Sequence, residues 1–170
     1  VTCNSVAGVG KDYKWTLVIG GQPSSESSFT CAYTIPAITG LSGLDSGMTT
    51  AGGETITLSG TNFGPTTTMV DSAKYTLSTG TVLGSVSEFE ATGCTVTAMD
   101  TSGAVETGKI VCTTAPGIGK DFTWKVSVGS QVSPASSAQL SYTAPTIASF
   151  DSRANSPGHA TQGGETVTIA

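Results

Sequence analysis

Four cysteines, Cys3, Cys31, Cys94 and Cys112, are the residues of this chain best equipped for chemistry. Zinc would require ligands clustered in sequence, yet no C-x-x-C pair occurs and the single histidine, His159, stands alone. An even number of cysteines without metal spacing reads as disulfides. That places the protein in an oxidising compartment, extracellular or at a cell surface. Two segments, Gly8-Val9-Gly10-Lys11 and Gly117-Ile118-Gly119-Lys120, invite a nucleotide reading. A phosphate-binding loop needs glycine five residues before the final Gly-Lys pair and a hydroxyl residue after it. Here Ser5 or Thr114 holds the first place and Asp12 or Asp121 the last, so both segments read as turns entering a strand. His159 lies in Ser156-Pro157-Gly158-His159-Ala160 with no partner for a triad. Asp45, Asp71, Asp100 and Asp151 lack calcium-loop spacing, and no nucleophile, base and orienting group can be nominated together. The expectation is no enzyme, no metal and no cofactor.

The elements that would carry these residues are strands. In Phe122–Val128 apolar residues fall on alternate positions, and Tyr13, Trp15, Leu17 and Ile19 repeat the pattern. Thr55–Leu58 and Thr166–Ile169 alternate likewise, as do Leu140, Tyr142 and Ala144. On this parity Trp15 and Trp124 are both core residues. The stretch Asp71–Leu77 is the nearest approach to a helix and is too short for one. Turn signals separate the strands at Gly20-Gly21, Pro23-Ser24-Ser25, Ser46-Gly47, Gly52-Gly53, Ser102-Gly103, Thr107-Gly108 and Gly129-Ser130. Short strands at this spacing predict an all-β sandwich.

Composition agrees. Of 170 residues, 22 are glycine, and charged residues are only 11%. Ser and Thr make up about 30% of the chain, and the net charge is -5. The seven basic residues, Lys11, Lys14, Lys74, Lys109, Lys120, Lys125 and Arg153, form no stripe, which argues against nucleic acid. No run of about 18 apolar residues is present, so no membrane-spanning segment is expected.

The chain also repeats itself. Val1–Pro36 aligns without a gap on Ile110–Pro145, an offset of 109 residues, and Gly52–Leu58 matches Gly163–Ile169 at an offset of 111. A fixed period of this size means a tandem array of small domains. Junctions are expected at Ile35-Pro36-Ala37 and Ala144-Pro145-Thr146, where proline makes short, stiff joints.

The segments Pro36-Ala37-Ile38, Gly52-Gly53-Glu54-Thr55-Ile56-Thr57-Leu58-Ser59-Gly60-Thr61-Asn62-Phe63-Gly64 and Cys112-Thr113-Thr114-Ala115-Pro116-Gly117 occur in the order seen in IPT/TIG domains. The chain resembles that family over nearly its whole length, and the resemblance implies an immunoglobulin-like β-sandwich. Glu54 and Glu165 sit beside the threonine of the family pattern, and the central stretch Pro65–Ala91 matches nothing in it. The organisation expected is residues 1–35 as the C-terminal part of one repeat, 36–144 as a complete repeat and 145–170 as the N-terminal part of the next. Cys94 and Cys112 would lie on neighbouring strands, each at a core-facing parity, and bridge. Cys31 falls at the inward position of Leu140. Cys3 pairs either with Cys31, as the even count favours, or with a cysteine upstream of Val1.

The family occurs in cell-surface receptors, adhesion and repeat proteins, carbohydrate-active enzymes as accessory modules, and transcription factors. Acidic charge and cysteines disfavour the last. The leading expectation is a structural segment of a long extracellular repeat protein forming a stalk, appendage or fibre. The alternatives are an extracellular adhesion or glycan- or protein-binding module, or an accessory domain of a carbohydrate-active enzyme. Partners would be neighbouring copies of the same repeat. Ser/Thr-rich patches at Pro23–Ser28, Pro65–Thr68 and Pro134–Ser137 could carry O-linked glycans, since no N-x-S/T site is present.

Overall fold

Alternate burial organises the chain into strands. Phe122, Trp124, Val126 and Val128 are all fully buried, while Thr123, Lys125 and Ser127 point the other way. A computed structural model describes residues 1–77, 88–100, 102, 106–149, 162–164 and 166–170. Readings that fall on Gly103, Asp151, Arg153, Asn155, His159 and Glu165 lie outside the described residues. The strands are β1 (Val18–Ile19), β2 (Gln22–Pro23), β3 (Ala37–Ser42), β4 (Thr55–Thr61), β5 (Val70–Leu77), β6 (Glu88–Asp100), β7 (Thr107–Thr113), β8 (Phe122–Val128), β9 (Gln131–Val132) and β10 (Gln139–Leu140). No helix occurs among the described residues.

All named strand pairings are antiparallel. One hydrogen-bonded path runs β10-β8-β5-β6-β7-β4-β3, with β9 added to β8. The path folds into two layers because β6, 13 residues long, serves both. Its first part, Glu88–Ala91, pairs with β5, and Thr92–Asp100 pairs with β7. The architecture is therefore an all-β, immunoglobulin-like sandwich. The inner faces meet in one core. Ile56, Leu58, Ile110 and Cys112 come from the β4–β7 layer, and Ala73, Tyr75 and the four buried residues of β8 from the other. Tyr75 stacks on Trp124 with ring centroids 4.3 Å apart and an interplanar angle of 20°.

The G-x-N-F-G motif closes one edge of this core. Phe63 is fully buried and lies over Gly60 and Gly108, which face each other across β4 and β7. A side chain at Gly60 would collide with the Phe63 ring and the Ala37 carbonyl, so the close packing requires glycine there. Glu54, the departure from the family pattern, accepts a hydrogen bond from Thr49 N at 2.7 Å.

Two local expectations change, and Asp71–Leu77, too short for a helix, gains an assignment. Asp71–Leu77 belongs to strand β5, because Ala73 and Tyr75 are buried at period two. Tyr13–Ile19 forms only the two-residue β1 and a single bridge between Tyr13 and Cys31. Thr166–Ile169 forms no extended strand, although Ala170 exchanges two backbone hydrogen bonds of 2.9 Å with Ser149. Alternation yields a strand where neighbours accept its backbone bonds. β4 has β3 and β7 on either side, and Thr166–Ile169 has no such pair among the described residues.

Candidate functional site

Cys94 and Cys112 are bonded to each other, joining β6 to β7 just after β6 passes from one layer to the other. Cys112 is buried and Cys94 half-buried against the core. Cys3 and Cys31 are exposed and unbridged, so the pairing favoured from the even count is not formed. Cys31 is instead held by backbone bonds of 2.9 Å in each direction with Tyr13, and its sulfur accepts from Trp15 Nε1 at 3.3 Å.

The two Gly-Lys segments are irregular, each with a bend at its lysine. Lys11 and Lys120 are exposed. What the segments do carry is a matched geometry. The backbone angle φ is +105° at Gly10 and +123° at Gly119, and +62° at Asp12 and +60° at Asp121. Gly10 O accepts from Tyr33 N at 2.8 Å, and Gly119 O from Tyr142 N at 2.9 Å. The Tyr33 hydroxyl donates to Val6 O at 2.8 Å, and that of Tyr142 to Ala115 O at 2.7 Å.

The matching extends to four serines. Ser24 and Ser27 accept hydrogen bonds from Leu17 N and Trp15 N, both at 3.0 Å. Ser133 and Ser136 accept from Val126 N at 3.0 Å and Trp124 N at 2.9 Å. Hydroxyl groups thus stand in for carbonyls along the strand edge. Ser133 and Ser136 are buried and committed, which removes them as glycan acceptors, whereas Ser25, Ser28, Thr66, Thr67 and Ser137 are exposed.

The match ends at the apolar face. Trp124 is fully buried under Tyr75, but Trp15 is 56% exposed, against its expected place in a core. Leu17, Val18 and Ile19 are exposed as well. No second layer lies over this face among the described residues. It forms an open cleft of about 850 Å³ lined by Val6, Tyr13, Trp15, Cys31 and Tyr33.

The first segment meets the sandwich at a compact joint. Gln131 is 7% exposed and spans it: its Oε1 accepts from Gly10 N at 3.2 Å, and its Nε2 donates to Tyr33 O at 2.9 Å. Val9 packs on the core of the sandwich, its Cγ1 against Gly64. Gly10 and Gly129 meet backbone to backbone, so a side chain on Gly129 would collide with Gly10 N. Asn62 Nδ2 donates to Ile35 O at 3.2 Å, and Pro36 between them is buried. Asp71 Oδ2 holds the β8–β9 turn, accepting from Ser130 N at 2.8 Å and Ser127 Oγ at 3.1 Å. Among the described residues no salt bridge crosses the joint, and the contacts named above are apolar or neutral.

Sequence reasoning missed Val9, Gln131 and the four serines. Their signal was available in the internal match, since Gln22, Ser24 and Ser27 stand 109 residues before Gln131, Ser133 and Ser136. Among the described residues no group of three or more His, Cys, Asp or Glu side chains is placed to hold a metal ion. Likewise, no helix there is long and apolar enough to cross a membrane.

Fold and bonding define an immunoglobulin-like, disulfide-bonded sandwich module. The chain belongs to the IPT/TIG domain family, whose model matches residues 36–144, more than half of its length. Domains of this family are generally non-catalytic, and they occur in cell-surface and signalling proteins. Neither curated proteins nor solved structures include a significant match to the chain.

Proposed function

We propose that this chain is a structural segment of a long extracellular repeat protein forming a stalk, surface appendage or fibre. In this reading residues 1–35 end one IPT/TIG repeat, residues 36–144 are a complete repeat, and residues 145–170 begin the next. The observation that carries it is the joint. A segment matching Ile110–Pro145 packs on the complete sandwich through Val9, Gln131 and Asn62, with no flexible linker between. Such a joint fixes the direction of one unit relative to the next, which is what a rod requires and an enzyme does not. The Cys94–Cys112 bond supports an oxidising location. Exposed hydroxyls at Ser25, Ser28, Thr66, Thr67 and Ser137 offer sites for O-linked glycans. The unit works mechanically, with no catalysis and no cofactor.

The test is the intact mass of the native gene product, reduced and denatured, together with its shape by electron microscopy. The expected product is far heavier than the 17.0 kDa of this chain and elongated in proportion to its number of repeats. A native product of 17.0 kDa that forms no fibre would overturn the reading and favour an adhesion module.

A further inference from the structure

The joint is asymmetric, and the complete repeat carries both halves of it. One half is a knob, Val9 flanked by Gly10 N–H and the Tyr33 carbonyl. The other is a socket of Gly64, Gly129 and Gln131. At the far end of the sandwich the knob recurs. Ile118 replaces Val9, flanked by Gly119 and Tyr142 in the same turn, and Ile118 is 58% exposed where Val9 is packed away. The socket hairpin recurs as well. Gly20, Gly21 and Gln22 match Gly129, Ser130 and Gln131 with φ of +58° and +80° against +56° and +62°, and Gln22 is exposed. From Gly10 to Pro36 and from Gly119 to Pro145 the chain runs the same 26 residues, so the geometry at both junctions begins alike.

We infer that Ile118, Gly119 and the Tyr142 carbonyl form a docking knob for the following copy of this repeat, received by that copy's equivalents of Gly64, Gly129 and Gln131. The inference rests on the tandem-array reading and adds the contact that joins its units. The occupant is a copy of this chain's own repeat because among the described residues the socket is filled by such a knob. The interface is heterologous, head to tail, so it does not pair with itself and can recur from each repeat to the next along one chain. Its polar part is a neutral carboxamide bridging two backbone groups, which makes register depend on shape and hydrogen bonding rather than on salt.

The test uses a chain in which residues 1–144 are followed directly by a second copy of residues 36–144. Amide exchange at Gly119 should slow roughly tenfold relative to the 170-residue protein, as its N–H gains the carboxamide acceptor. X-ray scattering should show one fixed angle between the two sandwiches. Ile118→Asp, or alanine at the second copy's equivalent of Gln131, should abolish both effects. Ile118→Val should keep them, because valine fills the first joint. Val9→Asp, releasing exchange at Gly10, confirms that the assay reads such a joint. If the second copy unfolds cooperatively yet Gly119 exchange is unchanged, the docking inference is overturned while the array reading stands. That reading falls separately, on the mass of the native product.

Discussion

Replacing Gln131 by alanine should release the first segment from the sandwich without unfolding the sandwich. The side chain makes two hydrogen bonds across the joint, at 3.2 Å to Gly10 N and 2.9 Å to Tyr33 O. A neutral hydrogen bond contributes about 1 kcal/mol net, and an abandoned buried donor costs about 1–3 kcal/mol. Gly10 is buried and would lose its acceptor, whereas Tyr33 O can turn to water. The closed joint should therefore weaken by about 2 kcal/mol, close to a 30-fold change in its opening equilibrium. Native-state amide exchange at Gly10 reads this directly, because that N–H is protected only while the joint is shut. Urea unfolding of the sandwich should shift far less, since β9 keeps its backbone pairing with β8. Gly10 exchange that stays within about twofold of the parent protein would refute the argument that the carboxamide holds the joint.

Further outcomes follow from the core. Converting both Cys94 and Cys112 to alanine should cost about 3 kcal/mol by calorimetry or urea titration, the chain-entropy value for a bridge spanning 18 residues. Tyr142 →Phe should flatten the alkaline limb of the stability curve. Burial first, then its bond to Tyr75, raise the Tyr142 phenol above its ordinary range. The folded state thus holds a proton that the unfolded chain gives up above a pH of about 10, and stability falls beyond that point by up to about 1.4 kcal/mol per pH unit. Gly60→Ala should destabilise by roughly 2–4 kcal/mol, since both the Ala37 carbonyl and the Phe63 ring must move. Ser133→Ala and Ser136→Ala together should cost about 2 kcal/mol or more, by leaving Val126 N and Trp124 N without acceptors.

Much of the fold was legible because strand alternation and burial have one cause. Phe122–Val128 and the Thr55–Leu58 run read as strands and are strands, since each has a core on one side and neighbours along both edges. The family motif was legible for an equally local reason: Gly60, Asn62 and Phe63 solve one packing problem within four residues. Trp15 is exposed here where Trp124 is buried, because parity tells which way a side chain points and says nothing of whether a second layer covers it. The passage of β6 between layers also escaped notice, because a shift of hydrogen-bonding partner at Thr92 leaves little mark on composition. Joint residues hid for a different reason. Gln131 looks like any polar residue after a turn, and only its partner 98 residues away gives it meaning.

One consequence of the Cys94–Cys112 bond concerns force. If a rod is pulled from its ends, a sandwich that gives way pays out chain, but the stretch between these two sulfurs stays looped. Eighteen residues at full extension would span on the order of 60 Å. Each oxidised sandwich therefore withholds that length and keeps β6 and β7 tethered side by side through the rupture. These two paired strands never part, so on relaxation they need not close a loop before pairing again. Such a unit would act less like a brittle link than like a catch that limits its own extension and resets.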